Sequence, residues 1–366
     1  MIKNKLLSYA LIAALIMPQS LWACTGIELK TEDGKFLSAR SIEWGAYELK
    51  SNLVLMPSGV KFQAYTSLGE QNGHKWTGKY GFVGISLVYD TYIGEGMNEA
   101  GLNAGMFYFP GYGSLAKYEK RKNSKSLIDM NLTTWILSNF ATVEEVKKNI
   151  DKIIVVPVGY DKNGNPLPTA HWRVTDAQGG SIVIEITDGG KVNVYDNKVG
   201  VLTNSPQFPW QVTNLNNYVN LKPGTAKGFG ANGIQIKSFG ATSSLLGLPG
   251  DYTPPSRFVR AFFAINTAPK MPNAEKGIRQ AFQILKGFTI PIGMEFAPGE
   301  KVPNIPSATQ WTALSNLSDR EFYYNTMYNP LVRKVDLKKI DFETAQKTVF
   351  PLETQLEPVF KEIYFN

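Results

Sequence analysis

The amino-acid sequence predicts an α+β protein in which antiparallel sheets carry helices on their outer faces. Strand-like runs bounded by glycine fill the first third of the chain, and a second group of such runs lies at 171–204. Helical spacing of apolar residues begins after Lys125 and returns at 210–219, 254–268 and 274–288. Strand groups and helix groups alternate in blocks without parallel βαβ units, which is the pattern of an α+β architecture.

The first strands can be placed individually. The runs "CTGIELKT" and "KFLSARSIEW" flank an "EDG" turn and predict a hairpin that begins at Cys24. Further strands are predicted in "NLVLMP" (52–57), "YGFVGISLVY" (80–89) and "GLNAGMFYF" (101–109). The first third of the chain is therefore expected to be rich in strands.

The remaining elements follow from the same two periods. Thr142 and Glu145 form a capping-box pattern before the helical run "VEEVKKNI". The runs "HWRVTD", "SIVIEIT", "KVNVYD" and "VGVLTN" are separated by glycine turns and predict an antiparallel meander. Two prolines suit the first turn of the helix at 254–268, and "QWTALSNL" with "EFYYNTMYN" predicts a last strand pair.

The N-terminal segment resembles an export signal. It combines basic Lys3 and Lys5, an apolar run and a small residue, Ala23, before Cys24. We therefore predict a signal peptide over 1–23, a single domain over 24–366, and a periplasmic or secreted protein. No later segment approaches the roughly 18 consecutive apolar residues of a membrane span, so no stable membrane association is expected after processing.

Composition argues against several classes of function. The formal net charge is +7, but basic and acidic residues are mixed, so nucleic-acid binding is not expected. The chain has only two histidines, which are too few and too distant for a zinc site. The "DKNGNP" run (161–166) lacks the glycine and glutamate of a calcium loop, and "GFGANG" (228–233) reads as a loop without the strand that a dinucleotide site requires. No metal or cofactor is predicted.

Cys24 is the only cysteine, and a lone thiol in an exported chain has no intramolecular partner. A cysteine–histidine pair with His171 is one interpretation. In another, cleavage after Ala23 frees the α-amino group of Cys24, whose reference pKa of about 7.7 to 8.0 makes it a usable base for the thiol. In a third, "LWAC" is a lipobox, and the chain is a lipidated binding module without enzymatic activity.

Two downstream residues suit the second interpretation. Arg40 lies on the second strand of the predicted hairpin, where its positive charge would favour the Cys24 thiolate. Glu43 falls on the opposite face of an ideal strand, so a bend or a strand end is needed for both side chains to reach one site.

The motifs "CTGIELKTEDGKFLSARSIEW", "GMNEAGLNAGMFYFPG", "LTNSPQFPWQVTNLNNY" and "GLPGDYTPPSRFVRA" resemble, in order, the penicillin V acylase and choloylglycine hydrolase family of N-terminal nucleophile hydrolases. The resemblance covers most of the chain after Ala23. It implies a four-layer αββα fold with two stacked antiparallel sheets, and homo-oligomers that are often tetrameric. It also implies a small-molecule acyl amide as substrate.

The resemblance also implies roles for individual residues. Cys24 would be the nucleophile, Arg40 and Arg257 would belong to its polar network, and Asn204 would offer its side-chain amide to the oxyanion. The backbone N–H of Tyr108 would be the second oxyanion donor.

Two positions at the end of the second strand stay open. Glu43 stands where the family usually has aspartate, so its contact with the Cys24 amine is expected from a shifted backbone. Trp44 would pack either on an aromatic or fatty acyl group of the substrate or in the core.

Tyr108 favours penicillin V acylase activity, because bile salt hydrolases typically have asparagine at that position. Acyl-homoserine lactones and conjugated bile salts are the alternative substrates.

Overall fold

The computed structural model describes residues 22–160, 170–357 and 361–365. Most of the predicted signal peptide and the "DKNGNP" run therefore lie outside the described residues. Across the described ranges, no helix is long and apolar enough to cross a membrane.

Two antiparallel sheets dominate the structure. The six-stranded sheet has the order β14-β1-β2-β17-β18-β19, and the eight-stranded sheet has the order β13-β12-β11-β8-β7-β6-β3-β20. The strands of the six-stranded sheet are β1 (Trp22–Lys30), β2 (Phe36–Trp44), β14 (Val201–Leu202), β17 (Thr309–Asn316), β18 (Glu321–Thr326) and β19 (Arg333–Asp336). Those of the eight-stranded sheet are β3 (Asn52–Met56), β6 (Phe82–Leu87), β7 (Tyr89–Asn98), β8 (Asn103–Tyr108), β11 (Ala170–Thr175), β12 (Ser181–Thr187), β13 (Lys191–Asp196) and β20 (Thr348–Pro351). Three strand pairs complete the strands: β4 (Lys61–Gln63) with β5 (Lys75–Thr77), β9 (Ser126–Ile128) with β10 (Ile154–Val156), and β15 (Phe229–Ala231) with β16 (Ile234–Ile236).

The helices cover the outer faces of the two sheets. They are α1 (Asp129–Asn139), α2 (Val143–Lys147), α3 (Phe208–Asn214), α4 (Pro254–Thr267) and α5 (Ala274–Lys286). Helix α1 packs on β7 and β8, whereas α4 and α5 pack on β1 and its neighbours. The inner faces of the sheets meet where β1 lies on β8 and β17 lies on β7. This confirms the predicted four-layer αββα arrangement of an α+β fold.

Local signals account for several element boundaries. Thr142 caps α2 as predicted, because its Oγ1 accepts a hydrogen bond from the backbone N–H of Glu145 at 3.2 Å. Asn273 caps α5 in the same way through the N–H of Lys276 at 3.1 Å. Pro254 occupies the first turn of α4, where its missing N–H costs nothing.

Two strand predictions were wrong in detail. The run at 80–89 is divided between β6 and β7, because Val88 takes a positive φ of 62° and breaks the strand. The "VGVLTN" run forms only β14, which pairs with β1 in the other sheet and not with the meander β11-β12-β13. The sheet that accommodates a run sets both the length of the strand and the strand with which it pairs. The period of the apolar residues reveals neither.

Two loop and topology predictions also need correction. "GFGANG" is not a loop, since it contains β15 and the turn to β16, with Asn232 at φ 50° and Gly233 at φ 78°. An Asn-Gly pair is a strong hairpin signal that could have revealed this turn. In addition, β9 and β10 pair in parallel across α1 and α2, although no parallel unit was expected.

Candidate active site

Strand register brings Arg40 to Cys24. In the β1–β2 pair, Gly26 lies opposite Arg40 and Cys24 lies opposite Ile42, so the Cys24 and Arg40 side chains share one face of the sheet. The Nη2 of Arg40 donates a hydrogen bond to the Cys24 Sγ at 2.8 Å. The predicted approach of Arg40 to the thiol is therefore present in the structure.

Gly26 makes room for this arrangement. A Cβ at this position would lie 2.6 Å from Nη1 of Arg173 and 2.8 Å from the ring of Phe107, both closer than real side chains approach. The glycine two residues after Cys24 is thus required by packing between the sheets, and its φ is not in the left-handed region.

The Arg40 guanidinium is held in place from several sides. Its Nη1 donates to the carbonyl oxygen of Met106 at 2.5 Å and to that of Gly94 at 3.3 Å. The Glu95 carboxylate lies 3.8 Å from Nη1, and the Phe107 ring centroid lies 4.2 Å from the guanidinium carbon. A fully buried arginine is stable only when its donors are satisfied in this way, so Nη2 is fixed in its direction toward the thiol.

Asn204 and Arg257 meet at the backbone of Cys24. The Cys24 backbone N–H donates to Oδ1 of Asn204 at 2.9 Å, and Nη2 of Arg257 donates to the same Oδ1 at 2.6 Å. Arg257 also donates to the carbonyl oxygen of Cys24, and to the hydroxyl of Thr25 at 3.0 Å. Because arginine has no acceptor, the Asn204 oxygen must face it, and the amide group must point away.

That amide group points toward Tyr108. Nδ2 of Asn204 donates to the Tyr108 carbonyl oxygen at 2.8 Å, and its second N–H bond remains for another acceptor. The backbone N–H of Tyr108 hydrogen-bonds the Cys24 sulfur. Of the two groups expected to act as oxyanion donors, the Tyr108 N–H therefore lies beside the thiol, and the Asn204 amide lies at the carbonyl oxygen of the same residue.

The Cys24 thiol has opposing influences on its pKa. Burial raises this pKa above its ordinary value, the Arg40 guanidinium lowers it, and the Glu43 carboxylate raises it again. The Tyr108 N–H and Arg257 lower it. The two arginines and the N–H group thus favour the thiolate that burial alone would disfavour.

Glu43 lies on the other face of β2, as the strand alternation predicted. Its Oε1 is 3.5 Å from the hydroxyl of Thr309, and its Oε2 is buried without a hydrogen-bond partner. Burial raises the pKa of Glu43, while Arg257 is the strongest of the groups that lower it. Glu43, which pairs in register with Ala23 of β1, therefore faces the side of the sheet on which Arg257 lies.

A second carboxyl group, missed in the sequence, faces Glu43. The Glu295 Oε2 is buried and packs so tightly over Gly45 that a Cβ there would lie 2.1 Å from it. Burial, followed by the Glu43 charge, raises the pKa of Glu295 to about 8, and Arg257 opposes the shift. Glu295 is 252 residues from Glu43 in the chain, so no local pattern could have joined them.

Trp44 lies at the end of β2, with its ring packed edge-on against Tyr47 at 5.3 Å. It belongs to the hydrophobic core, and only 9% of its surface is exposed. Its backbone pairs with that of Trp22, one of the residues before Cys24. In the chain that still carries Trp22 and Ala23, Trp44 therefore packs in the core.

His171 is not placed to serve as a base for Cys24. Its Nδ1 faces Oε1 of Glu185 at 3.2 Å and its Nε2 faces the carbonyl oxygen of Thr203 at 3.0 Å. Both ring nitrogens are therefore occupied by other groups. Among the described residues, no group of three acidic, cysteine or histidine side chains is arranged to bind a metal ion.

Comparison with known proteins agrees with this geometry. Residues 24–350 match the family model described as linear amide C-N hydrolases, choloylglycine hydrolase family. The chain belongs to this family. It is 34% identical to a bile salt hydrolase/transferase of Clostridium perfringens over 86% of this chain and 93% of the relative. It is 29% identical to a penicillin V acylase of Pectobacterium atrosepticum over 93% of this chain and 88% of the relative.

A solved structure supports the fold of the choloylglycine hydrolase family for this chain. A mutant conjugated bile acid hydrolase from Clostridium perfringens superposes with a TM-score of 0.78 and 30% identity, covering 93% of this chain and all of the other. The family is an N-terminal nucleophile hydrolase family, as the sequence motifs indicated. The chain is accordingly a hydrolase of linear amide C–N bonds.

The sequence did not reveal two further charged groups of this family member. Glu95 balances Arg40 between the sheets, and Asn103 donates to its Oε1 at 2.6 Å. Arg173 donates to the carbonyl oxygens of Ile27 and Ala39 at 3.2 and 3.1 Å. Charged residues within strand-like runs such as "GEGMN" and "HWRVT" are a signal that could have marked them, since unpaired charges are rarely buried.

Proposed function

We propose that this amide hydrolase uses Cys24 as its nucleophile, after cleavage has made Cys24 the first residue, and that it removes an acyl group from an amide such as penicillin V. The observation that carries the proposal is the 2.8 Å hydrogen bond from Arg40 to the Cys24 Sγ. No histidine of the chain takes part in this contact, so the base must come from elsewhere.

The α-amine of Cys24 meets that need. In the chain described, the nitrogen of Cys24 is part of the peptide bond with Ala23 and donates to Oδ1 of Asn204. Cleavage of the Ala23–Cys24 bond converts this nitrogen into an amine on the same residue as the thiol. A base with a reference pKa of about 7.7 to 8.0 can accept the thiol proton near neutral pH.

The reaction then follows in two stages. The amine takes the thiol proton, the sulfur attacks the amide carbonyl carbon, and the oxyanion accepts hydrogen bonds from the Tyr108 N–H and the free N–H of the Asn204 amide. When the C–N bond breaks, the amine of Cys24 gives its proton to the leaving amine. Water then attacks the thioester, which releases the carboxylic acid and restores the thiol.

Cleavage also opens the end of β2. Ala23 is buried beside Ile290, Ala308 and Tyr252, and its backbone pairs with that of Glu43. Loss of the preceding residues also removes the backbone of Trp22, which pairs with that of Trp44 at the end of β2. We propose that the acyl group of the substrate enters there and packs on the Trp44 ring.

Two substrate classes have specific support. Tyr108 favours penicillin V, by the family resemblance, whereas the 34% identical relative is named a bile salt hydrolase/transferase. Penicillin V, glycine-conjugated and taurine-conjugated bile salts and a long-chain acyl-homoserine lactone should therefore be compared by the amine that each releases. Fastest turnover of penicillin V is the expected result, and fastest turnover of a bile salt would assign the chain to the second class.

We further propose that the chain is exported to the periplasm or secreted. Processing at Cys24 can be tested by intact mass. An unmodified chain that begins at Cys24 supports the enzyme, whereas a diacylglycerol adduct on Cys24 would support the lipoprotein interpretation.

We also propose that the chain forms a homo-oligomer, expected to be a tetramer. The hairpin β15–β16, called here the exposed hairpin, presents Phe229, Ile234 and Ile236 with 63%, 63% and 46% of their surfaces exposed. An isolated two-stranded hairpin is marginally stable in water, and its apolar side chains would gain from burial. A second copy of the chain, covering the exposed hairpin, supplies that burial.

A further inference from the structure

A buried histidine lies directly behind the two oxyanion donors. His171 is in β11 and pairs in register with Phe107 of β8, the residue before Tyr108. None of its surface is exposed. It does not contact the nucleophile, so the catalytic scheme above leaves its role unassigned.

His171 contacts the segments on both sides of the oxyanion site. Its Nε2 lies 3.0 Å from the carbonyl oxygen of Thr203, the residue before Asn204. Its ring stacks on Phe109, the residue after Tyr108, with centroids 4.3 Å apart and planes inclined by 8°. One imidazole ring therefore contacts the neighbours of both donors.

Glu185 extends this contact to the far end of the Asn204 loop. Its Oε1 lies 3.2 Å from Nδ1 of His171 and accepts a hydrogen bond from the backbone N–H of Phe208 at 2.8 Å. The loop from Thr203 to Phe208 is thus tied at both ends to the same histidine–glutamate pair. In between, Ser205 donates to the carbonyl oxygen of Pro110 at 2.6 Å, which joins the loop to the Tyr108 segment.

The pair needs one shared proton to make these contacts. Both ring nitrogens face oxygen atoms, and a neutral imidazole has only one N–H. The contacts are satisfied by an imidazolium beside a carboxylate or by a neutral imidazole beside a carboxylic acid. Each arrangement has no net charge, which suits a site from which water is excluded.

We propose that His171 and Glu185 act as a positioning pair that sets the distance between the two oxyanion donors, the Tyr108 N–H and the Asn204 amide. The pair touches neither substrate nor nucleophile and acts through the segments that carry the donors. This inference rests on the proposed function, because the donors matter only if the Cys24 thiolate attacks an amide.

The test separates hydrolysis from thiol reactivity. In His171→Gln, we expect kcat for the best amide of the panel to fall by roughly tenfold to a hundredfold, as misplaced catalytic groups do, with KM changed by less than about threefold. Alkylation of Cys24 by iodoacetamide forms no oxyanion and needs only the thiolate, so its rate should stay within about threefold of the wild-type rate. His74→Gln, the same substitution at the other histidine, is the matched control and should leave both rates unchanged.

Glu185→Gln provides a second variant, should His171→Gln be insoluble. It keeps the size of the side chain and removes the charge, and we expect the same pattern with a smaller loss of kcat. A wild-type kcat in a folded variant would overturn the proposal, and so would an alkylation rate that falls in parallel with kcat. If the wild-type protein hydrolyses none of the tested amides, both the proposed function and the positioning role are wrong. If the wild-type protein is active and the two variants are equally active, only the positioning role is wrong.

Discussion

Nη2 of Arg40 lies 2.8 Å from the Sγ of Cys24 and donates a hydrogen bond to it. The other end of the guanidinium is fixed by the Met106 carbonyl oxygen and by the Glu95 carboxylate. A positive charge in this position stabilises the thiolate against the burial that raises the pKa of Cys24. The reactivity of the Cys24 thiol, the proposed nucleophile, thus depends on a residue of the neighbouring strand.

Substitution of Arg40 tests this dependence. In Arg40→Gln the pKa of the Cys24 thiol should rise, because burial is then less opposed. Turnover at neutral pH should fall by about tenfold to a hundredfold, the worth of a hydrogen bond to a charged group. The rate of Cys24 alkylation, measured across pH, should shift to higher pH. Arg40→Lys keeps the charge and should shift the profile less, and an unshifted profile in Arg40→Gln would contradict the assigned role.

Loss of the Asn204 amide should affect turnover more than binding. Asn204→Ala removes one oxyanion donor, and such a loss typically lowers kcat by about a hundredfold to a thousandfold. It also leaves the Arg257 donor at Oδ1 unpaired, so thermal unfolding should be measured alongside the kinetics. Near-normal kcat in a folded variant would remove Asn204 from the catalytic site.

Even one residue retained before Cys24 should abolish amide hydrolysis. A chain that begins at Ala23 keeps the Cys24 nitrogen in a peptide bond, which cannot act as a base. It also keeps Ala23 in its buried place beside Ile290 and Ala308. We expect amide hydrolysis to be undetectable for this chain and full for the chain that begins at Cys24, with intact mass confirming each start. Equal activity of the two chains would disprove the role of the α-amine.

Glu295 should make the stability of the protein depend on pH. Its pKa is raised from 4.5 to about 8, so between these values the folded chain holds a proton that the unfolded chain has lost. Stability therefore falls as the pH rises through this range, and Glu43, whose pKa is also raised by burial, acts in the same direction.

Replacement of Glu295 should remove its part of this effect. Glu295→Gln should unfold at a higher temperature than the wild-type protein at pH 8, by a few degrees, and at a similar temperature at pH 5. Thermal unfolding followed at both pH values measures the difference. Glu275→Gln is the control, at an exposed glutamate of α5 paired with Arg279, and its unfolding temperature should not rise. A rise for Glu295→Gln that is as large at pH 5 as at pH 8 would contradict the prediction.

The exposed hairpin should control the oligomeric state. Replacing Phe229 and Ile234 by aspartate puts two charges into a surface that we propose to be buried between copies, which disfavours association. Light scattering after gel filtration should show an oligomer for the wild-type chain and a smaller species for the variant. A monomeric wild-type chain, or an unchanged variant, would contradict this role of the hairpin.

Much of the fold could be predicted from local patterns. β12, β13 and α4 lie within one residue of their predicted bounds, because strand alternation, glycine turns and a proline in the first helical turn are local signals. β14 was assigned to the wrong sheet, because partner choice depends on a strand that is 170 or more residues away. The hairpin was expected to bring Arg40 back toward Cys24, and the register of β1 with β2 places the two side chains on one face of the sheet.

The sequence by itself determined the α+β class, the hairpin that presents Cys24, and the motifs that resemble one family of amide hydrolases. Only the tertiary structure decided that Glu295 faces Glu43 and that His171 with Glu185 supports the segments of Tyr108 and Asn204. The physical reason is the range of the interactions involved. Periodicity, capping and turns act within a few residues of the chain, whereas buried charges and hydrogen bonds are satisfied by whichever groups the packing of the two sheets brings together.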